Sequence, residues 1–225
     1  MGVSYTFSKV LGVASGDGDS VSPYLSARAR NYGPLSFDRR QSLVFNYVYE
    51  LPGVGKRLGW RPAGWALDNW EISGITTFQT GGPSTPGFST QPSVDISGSS
   101  ESARMNLVGN PNLSAGDRRF SREFNTAAFA LAAVGTLGNM GPGVLYGPGI
   151  NNWDLSATKR FKLFSESRLV SFRGEFYNAF NHTQFSSWNT SFQFNSAGQQ
   201  INPAVGQANG ARSPRNVEIS ARFVF

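Results

Sequence analysis

The chain has 225 residues, 39% hydrophobic and 13% aromatic, with 20 Lys and Arg against 14 Asp and Glu for a net charge of +6. It has no cysteine and one histidine, which excludes disulfides, thiol chemistry and the usual zinc sites. Its basic residues are scattered rather than massed, which argues against nucleic acid, and no run of about 18 apolar residues offers a transmembrane helix.

Residues 2–10 open in alternation, with Val3, Tyr5 and Phe7 against Ser4, Thr6 and Ser8, the period of a strand with two unlike faces. No charged and then apolar leader precedes them, so an exported protein is expected to lack its true N-terminus here. Residues 11–37 form a long polar loop. Residues 38–51 return to alternation: Leu43, Phe45, Tyr47, Tyr49 and Leu51 on one side, Ser42, Val44, Asn46, Val48 and Glu50 on the other. Residues 52–67, with Trp60 and Trp65, make a shorter connection. Residues 68–80 set Trp70, Ile72, Gly74, Thr76 and Phe78 against Glu71, Ser73, Ile75, Thr77 and Gln79.

Residues 81–150 are the longest irregular stretch. Within it 121–133, carrying Phe124 and Phe129, is the candidate for one short helix, and the Gly-Pro-Gly repeats of 141–149 read as turns. Residues 151–164 alternate again, with Trp153, Leu155, Ala157, Phe161 and Leu163 facing away from Asp154, Ser156, Thr158, Arg160 and Lys162. Lys159 falls on the apolar side. A bulge would reconcile it, as would a stem laid along the wall with its ammonium at the interface. A turn at 164–167 leads into a strand over 168–181, with Val170, Phe172, Gly174, Phe176 and Phe180 opposite Ser171, Arg173, Glu175 and Tyr177. A polar loop at 182–214 follows, with a hairpin expected at 191–200. The last stretch, 215–225, places Val217, Ile219, Ala221, Phe223 and Phe225 on one face and Asn216, Glu218, Ser220, Arg222 and Val224 on the other.

Five connections thus alternate long, short, long, short, long. Meandering outer-membrane barrels behave this way, with long loops outside, short turns in the periplasm, apolar residues towards lipid and polar residues towards the lumen. The expected fold is all-β: an antiparallel meander of about six transmembrane strands forming a partial, open outer-membrane β-barrel with long extracellular loops. The terminal aromatic strand, Val217, Ile219, Ala221, Phe223 and Phe225, reads as an assembly signal for the barrel-assembly machinery, with outer-membrane lipid as its surroundings. Glu50, Glu71, Asp154, Arg160, Arg173, Glu175 and Arg222 all project to the polar face, either as a hydrated, mutually paired lumen wall or as groups that touch a plug or tune permeation.

The stretches Gly-Pro-Gly-Ile-Asn-Asn-Trp-Asp-Leu-Ser (147–156) and Phe-Arg-Gly-Glu-Phe-Tyr-Asn-Ala-Phe-Asn-His (172–182) resemble the C-terminal barrel strands of TonB-dependent outer-membrane receptors. The resemblance is to the Oar-like subgroup with a carboxypeptidase-regulatory-like domain. It rests on Asn152, Trp153, Asp154 and Leu155, on Glu175, Phe176, Asn178, Asn181 and His182, and on Asp38-Arg39-Arg40 ahead of the second strand. It implies a barrel of about 22 strands, a plug domain, TonB as partner and uptake of a solute that the sequence does not name. On that resemblance residues 1–225 are the last six strands of such a receptor, with the plug and N-terminal domains absent. Six strands fall short of the roughly eight needed to close a barrel.

No constellation supports an enzyme, and no cofactor is expected. His182 stands alone, with no second histidine or cysteine for a metal and nothing to orient it for nucleophilic catalysis. Asp17-Gly18-Asp19-Ser20 lacks the terminal glutamate of a calcium loop. The alternative function is a soluble β-sandwich serving as a carbohydrate-binding or adhesive module. Against that alternative stands the row from Leu43 to Leu51, which a soluble domain would have to bury.

Overall fold

The computed structural model describes residues 1–225 apart from 18, 20, 23, 58, 60, 115 and 163–167, and the side chains of the rest apart from 56 and 61. Trp60, Leu163, the turn expected at 164–167, and Gly18 and Ser20 of the calcium-like stretch lie outside the described residues.

Six long strands form one antiparallel sheet in chain order: β1 (Gly2–Phe7), β2 (Gln41–Glu50), β3 (Trp70–Gln79), β4 (Ile150–Lys162), β5 (Leu169–Tyr177) and β6 (Asn216–Val224). The register runs unbroken across all five pairs. It aligns Tyr47, Gly74, Leu155, Phe176 and Val217 in one row on one face. Because the side-chain period is two, that single row fixes every other position. The apolar residues named above therefore share one face, and Glu50, Glu71, Thr158, Arg173 and Ser220 align on the other.

The antiparallel order puts connections 8–40, 80–149 and 178–215 at one end of the sheet and connections 51–69 and 163–168 at the other. β1 pairs only with β2, and β6 only with β5, so the sheet has two free edges. Among the described residues the other ladders are two-stranded and lie in the connections. The sandwich alternative therefore has no second sheet.

Lys159 sits where alternation puts it, and no bulge interrupts β4. Its ammonium lies against the rings of Trp70 and Phe161, 5.5 and 5.2 Å from their centres. The ammonium donates to the carbonyls of Ala66 and Asp68. Those carbonyls end a helix that alternation did not reveal. Counting the single turn α1 (Ala27–Arg30) in the first connection, connection 51–69 holds α2 (Val54–Arg57) and α3 (Arg61–Leu67). Two small residues let these two helices meet: a Cβ on Gly55 would stand 2.3 Å from the Cα of Gly64. The carboxylate of Asp68 holds the pair together by accepting the Gly55 N–H at 2.8 Å. Pro62 falls in the first turn of α3, where its missing N–H costs nothing.

Three expectations need correction. β5 ends at Tyr177, four residues before 181, because Asn178 takes a left-handed backbone (φ 51°) that a strand cannot continue. The helix expected over 121–133 is only a single 3-10 turn, Thr126–Ala128. Its surrounding donors are spent on other loops: Glu123 N–H goes to the Gly206 carbonyl at 2.7 Å and Asn125 N–H to that of Pro111 at 2.9 Å. The hairpin at 191–200 survives as a turn with one bridge, Phe194 to Gln200. The main partner of strand Ser191–Asn195 is instead the parallel strand Gly87–Gln91 from a different connection.

Candidate functional site

The three long connections do not hang as separate loops; they build one cap. Its core is apolar and aromatic: Met105, Phe124, Phe129, Met140 and Leu145 from connection 80–149 meet Trp188, Phe192, Phe194, Val205 and Ala208 from connection 178–215. Phe192 lies at its centre, 5.0 Å from Phe129, 6.3 Å from Phe124 and stacked on Phe194 at 6.0 Å. The parallel ladder of Gly87–Gln91 with Ser191–Asn195 sews the two connections together. Connection 8–40 is tied in by Arg30, which is buried. Its guanidinium donates to the carbonyls of Ser102 (2.9 Å) and Gly138 (3.3 Å) and pairs with Glu101. Beside it, burial and the Arg30 charge lower the pKa of Arg104, while Glu101 opposes them. Burial likewise raises the pKa of Glu123, partly offset by Arg118.

Cap and sheet join through a corner built from the two motif stretches. Asp154 accepts the N–H of Asn178 at 2.9 Å, and Ala179 N–H goes to the carbonyl of Trp153 at 2.8 Å. Asn178 and Asn181 both sit at φ 51°, a conformation Asn tolerates better than most side chains. Asn178 donates on to the His182 carbonyl, and Asn181 accepts the N–H of Arg215, where the chain re-enters the sheet. Asn152 accepts from Gln184, whose own carbonyl takes the N–H of Arg212. The motif is thus the joint that ends β5 and starts the cap. Its residues meet one another rather than a reaction centre, and the Nε2 of His182 is buried with no hydrogen-bond partner among the described residues. Also among the described residues, no cluster of three or more His, Asp or Glu could hold a metal.

On the polar face, two pairs of glutamates stand directly opposite each other, Glu50 with Glu71 and Glu175 with Glu218. Like charges so placed repel, and each pair has its arginine. Arg160 reaches Glu71 at 2.5 Å and Glu50 at 4.0 Å, and Arg173 reaches Glu175 at 2.9 Å. Arg222 is exposed on β6, opposite Ser171.

On the apolar face, rings gather at two levels. Towards the cap, Phe45, Phe78, Trp153 and Phe180 touch in sequence at 6.5, 5.8 and 5.5 Å. At the opposite end, Trp65, Phe161 and Phe172 do so at 5.0 and 5.9 Å. Trp153 and Phe161 stand eight positions apart on β4, about 26 Å of strand at about 3.3 Å per residue. With the usual barrel tilt this spans about 20 Å of depth, close to the ~25 Å apolar band that aromatic girdles flank in such barrels. A family model for the outer membrane beta barrel domain matches residues 1–218.

The chain belongs to the outer membrane beta barrel domain family. Comparison with curated proteins and with solved structures gives no match. Membership implies an outer-membrane location. In barrels of this kind apolar faces meet lipid and polar faces the lumen. No helix among the described residues is long and apolar enough to cross a membrane, and a barrel needs none.

Where the cap meets the polar-face ends of β3 and β4, at Gln79 and Ile150, the barrel domain has a cleft of about 270 Å³. Arg39 and Arg212 both line it, with Trp188 and several serines. Arg39 stands in the Asp-Arg-Arg stretch already singled out by resemblance. Arg212 and Trp188 carry no signal in the sequence, because only the fold of the cap brings them there.

Proposed function

We propose that residues 1–225 form one wall, with its external cap, of a TonB-dependent outer-membrane receptor of the Oar-like kind. In this reading the cap meets a solute outside the cell and the charged face borders the path inward. The role is binding and passage, not catalysis. The observation that carries it is the one-sided cap: every long connection leaves the same end of the sheet, and all three join in a single body there. The motif stretches support the receptor subgroup, because they build the joint on which that cap is mounted.

The free edges of β1 and β6 support a larger barrel. Unpaired strand edges do not persist in hydrocarbon, where each unsatisfied backbone group costs several kcal/mol. Further barrel strands would pair with both edges, a plug domain would lie against the charged face, and TonB would act through that plug. β6 with the residue after it, where Phe223 and Phe225 stack at 5.8 Å, is then the segment read by the barrel-assembly machinery.

The chain has no cysteine, so single cysteines report cleanly. The chain is exported to the outer membrane of a Gram-negative cell behind a signal peptide, with one cysteine in the cap at Ser97 or one between β2 and β3 at Gly53. An impermeant maleimide added to intact cells is expected to label Ser97→Cys and to spare Gly53→Cys. Recovery of the chain as a soluble monomer without detergent, or equal labelling of both, would overturn the reading. Loss of solute uptake on deleting TonB from cells carrying the parent receptor tests the subgroup.

A further inference from the structure

The cleft between cap and lumen has a marked charge imbalance. Two arginines line it, Arg39 and Arg212, and none of its lining residues is Asp or Glu. Neither arginine has a carboxylate within ion-pair distance among the described residues. The nearest acid in sequence is already committed: the Asp38 carboxylate takes the Val10 N–H and the Arg40 Nε, both at 2.8 Å. Arg39 is held in place instead by two main-chain carbonyls, those of Ser36 at 3.0 Å and Asp38 at 2.8 Å. Its guanidinium lies against the bare backbone of Gly82, where a Cβ would come within 2.1 Å of Nη1. This cation is positioned by the protein but not neutralised by it.

The remaining polar groups are of matching kind. Ser186, Ser187 and Thr190 line the cleft, the Ser187 hydroxyl donating to Asn209 at 2.8 Å. Trp188 lines it too, with its ring packed into the cap core against Phe124. Guanidinium and hydroxyl groups are donors, and an oxyanion is composed of acceptors. The volume lies just below the usual range of about 300–1,000 Å³ for small-molecule pockets, so it suits a small solute or one charged group of a larger one.

We propose that this cleft binds the oxyanion group, a carboxylate, sulfate or phosphate, of a solute arriving at the mouth of the lumen. The proposal rests on the receptor reading for its purpose and names the chemistry of that receptor's cargo.

The test uses the full chain folded in neutral detergent micelles, with near-ultraviolet circular dichroism confirming the packed cap. Sulfate, inorganic phosphate and galacturonate are titrated by calorimetry at constant ionic strength, with galactose as the uncharged control. At least one oxyanion is expected to bind and galactose not to. Arg212→Gln is expected to weaken that binding at least tenfold. Arg212 is exposed and bonds to the Gln184 carbonyl through its main-chain N–H, so the variant keeps the cap. Arg212→Lys should recover part of the affinity. Sulfate, phosphate and galacturonate together separate the three sources of the charge. Absence of binding by a folded cap, undiminished binding in Arg212→Gln, or equal binding of galactose would overturn the proposal. Failure of the receptor reading looks different. The cap cysteine would then be unlabelled in cells while the purified chain still bound the anion.

Discussion

The carboxylate of Asp154 on β4 accepts the backbone N–H of Asn178, the first residue past β5, at 2.9 Å. This bond turns the chain out of the sheet and into the cap, across a residue that is buried and left-handed. Asp154→Ala leaves that donor without its acceptor and is expected to cost about 1–3 kcal/mol. Asp154→Asn, which keeps an acceptor oxygen, should cost less than half as much. Denaturation of the folded chain in micelles measures both, and equal losses in the two variants would deny the bond its role. At Asn178 itself, Gly keeps the left-handed backbone and loses the side-chain bond to the His182 carbonyl, whereas Val should cost a further ~1–2 kcal/mol for that backbone.

Lys159 leads to a second prediction, at the opposite rim. Its ammonium ends α3 by donating to the carbonyls of Ala66 and Asp68, and it also lies against the rings of Trp70 and Phe161. Lys159→Met keeps the stem and removes the donor. α3 is expected to fray, so that protease cleaves connection 51–69 several times faster while β4 stays paired. Lys159→Glu places a negative charge against two carbonyls and Asp68, and should release the helix altogether. Unchanged cleavage in both variants would show that α3 holds without the lysine.

What the sequence made legible was whatever repeats with period two. The faces of all six strands follow from alternation alone, down to the anomaly of Lys159, because a buried or lipid-facing strand cannot shift by one residue without turning every side chain over. The cap stayed hidden for the opposite reason. Met105, Phe124, Phe129, Met140 and Leu145 follow no period, since each reaches the core from a separate bend. Aromatics sparsely placed among Gly, Ser and Asn read as loop. Phe124 and Phe129 suggested a helix, yet both are buried in the shared core. α3 was masked by its shortness, and the early end of β5 by Phe180. That residue keeps the alternation and still packs on Trp153 at 5.5 Å although the strand has finished. Arg39 and Arg212 come from opposite ends of the chain and meet only through tertiary folding.

Glu123 makes the stability of the cap depend on pH. Burial raises its pKa above the ordinary value of 4.5, with Arg118 pulling the other way. The folded cap therefore holds the proton more tightly than the unfolded chain. The contribution from this group is full below the unfolded pKa and is lost as pH rises through the folded one. Cap stability should fall slightly from about pH 4.5 upwards, and Glu123→Gln should flatten that slope and leave the cap marginally more stable at neutral pH. Melting the cap across pH 4–7 in both forms measures it. A slope unchanged in Glu123→Gln would assign the dependence to another group.

Phe192 tests whether the cap is a folding unit of its own. The ring is 1% exposed and touches Phe124, Phe129 and Phe194, and its strand forms half of the parallel ladder that joins the two connections. Phe192→Ala opens a cavity at the centre of the core, a change that costs about 3–5 kcal/mol in well-packed interiors. The sheet does not share that core, since none of the clustered residues belongs to β1–β6. Hydrogen exchange should therefore speed up by two orders of magnitude or more at the amides of Ser191–Asn195 and Gly87–Gln91, and hardly at all in the middle of β3 and β4. The Asp154–Asn178 corner, lying between the two bodies, should show an intermediate change. Equal loss of protection in β3 and β4 would mean that cap and wall unfold together. The cap would then be part of what holds the wall in shape rather than a body mounted on it.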